Sequence, residues 1–160
     1  MNQTLVAFFS QSGNTRQMAE KIAKMANADC YEIVPQTPYT GSYAAVMDQS
    51  KKEIGERYCP PLAGTLPDVS GYDTVLLGTP NWWNTIAPPL ATFLKSVDLS
   101  GKTVAVFCTH GGGGSGRIER AIKALCPNAR YLPALSIYGD TVRGEEIHNW
   151  LDELSAYHDV

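Results

Sequence analysis

Six consecutive residues, Ser10-Gln11-Ser12-Gly13-Asn14-Thr15, gather hydroxyl, amide and glycine groups between an apolar run and a helix-patterned stretch. Gly13 lets the backbone come close to a ligand, and the first free N–H groups of a following helix point outward at the positive end of its dipole. Such a turn suits a phosphate held by neutral donors rather than by lysines. The plain alternative is an N-cap, in which Ser12 or Asn14 only satisfies the helix end. One hydroxyl would be enough for that, and this stretch carries several. A second glycine-rich stretch, Gly111-x-Gly113-x-x-Gly116, matches the dinucleotide fingerprint literally. It does not follow the first strand-like run, and a run of glycines meets that pattern easily, so an NAD site there is the weaker alternative. A nucleotide P-loop is disfavoured, because Arg117 and Ile118 stand where Lys and Ser/Thr are required. No serine satisfies Gly-x-Ser-x-Gly, which argues against a hydrolase elbow.

These loops need elements to position them. Leu5-Val6-Ala7-Phe8-Phe9 is a continuous apolar run, as in a strand buried on both faces of a parallel sheet. Met18, Ile22 and Met25 then recur at helical spacing. Residues 30–34 read as a second strand, and 43 to about 57 as a polar helix after a Pro/Thr/Gly loop. Residues 59–71 form an irregular connection. Thr74 to Gly78 is a third strand, and Pro88-Pro89 opens a helix with Leu90, Phe93, Leu94 and Val97 on one face. Thr103 to Cys108 is a fourth strand, followed by a helix marked by Ile118, Ala121, Ile122 and Leu125. Residues 130–138 supply a fifth strand, and Ile147, Trp150, Leu151 and Leu154 define a last helix. This alternation predicts an α/β fold, a doubly wound five-stranded parallel sheet with helices on both faces, in one domain spanning residues 1–160.

In such a sheet ligands bind outside the carboxyl ends of the strands. Besides the first turn, the loops there are Thr79-Pro80-Asn81-Trp82-Trp83-Asn84-Thr85 and Thr109-His110-Gly111-Gly112-Gly113-Gly114. Adjacent tryptophans in a polar loop are costly to expose, and a flat aromatic ligand would account for them. One of the two is expected to be partly structural and the other to face the ligand. Asn84 can replace glycine in a tight turn, because asparagine tolerates positive φ. His110 is a candidate proton donor near such a ligand, with a structural hydrogen-bonding role as the alternative. Tyr39, Tyr43 and Tyr138 are ring or substrate-edge contacts, or packing residues.

Global properties agree with a small-molecule site. The 160 residues are 44% hydrophobic and 18% charged, enough to bury about two thirds of the unfolded surface. A net charge of −3 argues against nucleic acid as a partner. No apolar run reaches the roughly twenty residues of a membrane span, and residues 4–9 read as a strand rather than a signal core. Cys30, Cys59, Cys108 and Cys126 form no Cys-x-x-Cys pair and read as reduced thiols of a cytoplasmic protein. The histidines lack metal-ligand spacing, so no structural zinc is expected.

The chain resembles flavodoxin-type FMN-binding proteins over essentially its whole length. Ser10-Gln11-Ser12-Gly13-Asn14-Thr15 is similar to the family's phosphate loop. Gly78-Thr79-Pro80-Asn81-Trp82-Trp83 and Cys108-Thr109-His110-Gly111-Gly112 resemble the two flavin-ring loops of a branch with a Pro-x-Trp-Trp motif. The resemblance implies the strand order 2-1-3-4-5 and FMN as cofactor. It implies phosphate binding by Ser10, Ser12, Asn14, Thr15 and the backbone N–H groups of residues 11–15. It also implies that residues 80–84 and 109–114 flank the ring. Asn84 stands where many members have glycine, and Asn81 replaces an apolar residue. The marked acidity of typical electron carriers is missing. The function implied is low-potential electron transfer, or alternatively an FMN-dependent NAD(P)H:quinone-type reduction, with a partner protein or small acceptor that the sequence does not name.

Overall fold

A computed structural model describes residues 3–110, 117–138 and 143–158. The chain alternates strands and helices: β1 (Thr4–Phe8), α1 (Asn14–Ala26), β2 (Asp29–Glu32), α2 (Tyr43–Glu56), β3 (Thr74–Pro80), α3 (Pro88–Ser96), β4 (Thr103–His110), α4 (Ile118–Leu125), β5 (Arg130–Tyr131), β6 (Leu135–Tyr138) and α5 (Gly144–His158). A single turn of 3₁₀ helix at Val69–Gly71 leads into β3. The sheet runs in the order β2-β1-β3-β4-β5, every described pairing between named strands is parallel, and β6 also pairs with β4. The expected doubly wound sheet is therefore the one observed.

The central strands are apolar at nearly every position because both faces are covered. Val6, Phe8, Leu76, Ala105 and Phe107 point toward α1 and α5, where Met18, Ile22, Ile147, Trp150 and Leu154 meet them. Leu5, Ala7, Val75, Leu77, Val104 and Val106 point the other way, onto Leu90, Phe93 and Leu94 of α3 and Ile118 and Ile122 of α4. The two sets alternate along each strand, as the two-residue period of a strand requires. Pro88 and Pro89 occupy the first helical positions of α3, where a missing N–H costs nothing.

The fifth strand departs from expectation. Residues 130–138 do not form one strand: β5 and β6 are separate segments on the same edge of β4. Thr103 and Val104 pair with Arg130 and Tyr131, whereas Phe107 pairs with Leu135. Leu132, Pro133 and Ala134 thus face only Ala105 and Val106, an extra residue of the kind that makes a bulge. Pro133 has no N–H to give the ladder. Its carbonyl accepts instead from the Trp150 indole of α5 at 2.8 Å.

Candidate functional site at the carboxyl ends of the central strands

The carboxyl ends of β1, β3 and β4 lie side by side at the centre of the sheet, with β2 on one flank and β6 on the other. The turn after β1 enters α1 through Gly13, whose φ of 99° is left-handed and explains glycine there; a Cβ would meet nothing within 4 Å. No side chain of the N-cap residue closes this helix end, and the first turn carries no acidic residue. Ser10 reaches across the turn instead. Its Oγ accepts from the Gly13 N–H at 3.2 Å and the Arg16 N–H at 3.1 Å, which curls the loop around its own hydroxyl. Ser12 remains exposed. Gln11 donates through Nε2 to the Tyr39 carbonyl. Arg16 turns its guanidinium onto Glu32 of β2, Nε to Oε1 at 3.2 Å and Nη2 to Oε2 at 2.5 Å, and this pairing holds its pKa above the ordinary arginine value. That cation is thereby occupied outside the turn.

Thr15 behaves differently from its neighbours. It is buried, and its hydroxyl lies 2.9 Å from that of buried Thr109 near the end of β4. The Asn81 N–H donates to the Thr109 carbonyl at 2.9 Å. One threonine near the end of β4 therefore joins the first turn of α1 to the loop that follows β3.

The loop after β3 closes as a hairpin. Trp82 and Thr85 exchange backbone hydrogen bonds of 3.1 and 3.0 Å, leaving Trp83 and Asn84 as a two-residue turn. Both have positive φ, 56° and 64°, as a type I′ turn demands. Asparagine accepts this, as its composition suggested; for tryptophan it is a rare and strained choice. The Asn84 carbonyl then accepts from Arg117 N–H at 3.2 Å, tying the turn to the start of α4.

The two indoles separate. Trp82 is only 6% exposed and meets Phe9 and Tyr39 edge-to-face at centroid distances of 5.4 and 5.3 Å. Trp83 is 47% exposed, and its Nε1–H donates to the Met47 carbonyl at 3.0 Å and to Ser50 Oγ at 3.1 Å on α2. Lys51 Nζ lies 5.0 Å from the centroid of its ring. Trp82 is thus the packing residue of the pair. Tyr39 also packs in the core, and its hydroxyl donates to Glu53 Oε1 at 2.5 Å. Burial above all, and then that carboxylate, push the Tyr39 phenol well above the ordinary tyrosine range.

Among the remaining candidates, Pro80 ends β3 and Thr109 and His110 end β4, where His110 is half-buried and in register with Tyr138 of β6. Tyr43 is 80% exposed at the start of α2 and packs against nothing in the core. Gly111, Gly112, Gly113 and Gly114, together with the rest of the dinucleotide-like pattern to Gly116, lie outside the described residues. Tyr43 apart, residues of α2 were not foreseen at this site. The signal for them was present: Val46, Ser50 and Ile54 recur at four-residue spacing, so Ser50 interrupts an apolar stripe.

Comparison with known proteins adds three findings. A model of the family described as Flavodoxin matches residues 3–154. An NAD(P)H dehydrogenase (quinone) of Cupriavidus metallidurans is 30% identical over 124 residues, 70% of this chain and 60% of that protein, so the chain spans about three-fifths of that relative's length. Among solved structures, a candidate flavoprotein of Bacteroides eggerthii superposes with a TM-score of 0.86 at 28% identity, covering 97% of this chain and 99% of the other. A Lactobacillus acidophilus flavoprotein solved in complex with FMN gives a TM-score of 0.74 at 23% identity over 94% and 99% of the two chains, a likeness of fold. Among the described residues, no helix is long and apolar enough to cross a membrane.

Proposed function

This chain belongs to the flavodoxin family, and on that premise we propose that it binds FMN at the carboxyl ends of β1, β3 and β4 and works as a low-potential electron-transfer protein. The observation that carries the proposal is the joining, at the end of β4, of the first turn of α1 and the loop after β3 through Thr109, which meets Thr15 by its hydroxyl and Asn81 by its carbonyl. A phosphate and a flat ring need two subsites at fixed separation, and this bridge holds the loops that would form them. The residues present fit the group. The N-terminus of α1 has no N-cap side chain on it and no acid in its first turn, while Ser12 stands exposed beside it. Backbone N–H groups of residues 11, 12, 14 and 15 and the Ser12 hydroxyl would hold the phosphate, with Asn14 at the first helical position and Ser10, which takes the Gly13 N–H, shaping the turn. Asn81, Trp83 and Asn84 would flank one side of the ring, and His110 with residues 111–114 the other.

Bound FMN would supply the electron chemistry, which belongs to the cofactor. The protein's part is electrostatic. Arg16 is engaged by Glu32, so the phosphate would be met by neutral donors and keep its charge. A dianion left unneutralised, beside an indole that excludes water, disfavours added negative charge on the ring and lowers its potential. The electron partner, a protein or a small acceptor, follows from none of these residues. Cytoplasmic residence is part of the proposal, supported by four cysteines that are all unpaired thiols.

A second function is favoured by a specific observation, the likeness to a quinone-directed NAD(P)H dehydrogenase. Steady-state reduction of a quinone by NADH or NADPH distinguishes the two: turnover supports a reductase, and reversible reduction without turnover supports a carrier.

The phosphate subsite is tested by Ser12→Ala. Hydrogen bonds to a charged group contribute about 1.5–3 kcal/mol, so FMN should bind at least about tenfold more weakly while riboflavin is nearly unaffected. Titration by flavin fluorescence checks this. Equal losses for both ligands would remove the phosphate from this turn.

A further inference from the structure

Trp83 combines a strained backbone with a well-partnered side chain, and its partners lie on α2. That helix buries only Val46 and Ser50, and Ser50 is wholly inaccessible to solvent. A serine on a helix commonly turns its hydroxyl onto the carbonyl one turn back, and Ser50 does so with Met47 at 2.9 Å. That local bond would satisfy it without help. Instead the same oxygen also accepts the Trp83 indole N–H, thirty-three residues away in sequence, and the Met47 carbonyl shares that donor. Lys51, the next residue, places its ammonium over the face of the same indole. Three successive features of one helix turn converge on a side chain whose own backbone is left-handed.

We propose that Ser50 is a positioning residue for the ring loop, holding the Trp83 indole against α2 so that the Trp83–Asn84 turn keeps its left-handed form. A tryptophan at φ 56° persists only where its surroundings hold it. Once Ser50 is lost, the indole N–H keeps only the Met47 carbonyl as acceptor, and the turn is freer to leave the left-handed region. The Trp82–Thr85 hydrogen bonds, which depend on that turn, loosen with it. The inference rests on the reading that residues 80–84 flank the flavin ring, and it adds α2 as the wall that sets their conformation.

Ser50→Ala tests it. In flavin-free protein, the Trp83 indole N–H, identified by its loss in Trp83→Phe, should exchange with solvent faster than in the parent. FMN and riboflavin should both bind about threefold to tenfold more weakly, the effect of one neutral hydrogen bond, and by the same factor because the phosphate is untouched. In a Trp83→Phe background Ser50→Ala should add little, since no N–H remains to be held. Unchanged indole exchange, or a full additional loss in the Trp83→Phe background, overturns the proposal and assigns Ser50 to packing alone. Should Ser50→Ala fail to fold, Ser50→Cys weakens the same acceptor while leaving every residue of the ring loop in place. Matched losses for the two flavins then support the proposal and unaltered affinities overturn it. The outcomes separate from those of the FMN assignment. Parent protein that binds neither flavin removes that assignment and this inference together. Selective loss of FMN in Ser12→Ala, with Ser50→Ala unchanged, removes this inference alone.

Discussion

The Thr79 hydroxyl closes two backbone groups at once: it donates to the Pro80 carbonyl at 2.9 Å and accepts from the Ala87 N–H at 3.2 Å. Ala87 is fully buried, so its N–H finds no water if the hydroxyl goes. Thr79→Val keeps the shape and removes the oxygen. The expected loss is about 1–3 kcal/mol, read as a lower urea midpoint, with Thr79→Ser largely retaining the parent stability. Thr79 is easy to pass over in sequence, because a threonine at a strand end promises β-propensity and nothing more. Asn84 was legible, since asparagine and glycine share the left-handed region that a tight turn needs. Trp83 was not, because residue type alone argues against positive φ. Only the hairpin bonds of Trp82 with Thr85, and the indole's partners on α2, explain why it is there. That one of the two tryptophans would be structural was foreseeable, while only its packing on Phe9 and Tyr39 identifies it as Trp82.

At the scale of the element, β3 passes between β1 and β4 with no space for a side chain at Gly78. A Cβ there would stand 2.3 Å from two ring carbons of Phe107 and 2.9 Å from the Cβ of Phe8. Gly78→Ala should cost about 3 kcal/mol, because Phe107 is wedged against Trp150 and has nowhere to turn. Urea unfolding measures this, and partial recovery on adding Phe107→Leu would identify the ring as the obstacle. Wild-type stability in the single variant would mean that the strands give way more easily than their packing implies. The strands themselves were readable from continuous apolar runs, and the glycine-led turn into α1 from its composition. The break between β5 and β6 was signalled only by Pro133, and a single proline does not say whether a strand ends, bulges or sits at an edge. Here the register shift against β4 and the Trp150–Pro133 bond make it a bulge. The role of α2 was hidden for a related reason. Its polar surface reads as a solvated helix, and the one residue that matters is a serine.

The molecule as a whole should weaken in alkali, through its buried phenols. The Tyr131 hydroxyl donates to the Cys126 carbonyl at 2.6 Å, and burial pushes its phenol from 10.0 up to about 12. Burial and Glu53 raise that of Tyr39 further still. A group whose folded pKa lies above its unfolded value contributes stability that is complete below the unfolded pKa and lost as pH rises through the folded one. Both phenols should therefore leave stability unaffected below about pH 10 and reduce it from there to about pH 12. Urea midpoints across that interval check the slope, and Tyr131→Phe should make it shallower; an identical slope would show that this phenol ionises as freely in the fold as outside it. The Thr15–Thr109 hydroxyl pair has a different consequence, for the way such a site changes over generations. Either threonine replaced alone leaves a buried hydroxyl without its partner, and both replaced together leave none. Drift in the first turn of α1 is thereby tied to drift at the end of β4, and the two positions are expected to change as a pair or not at all.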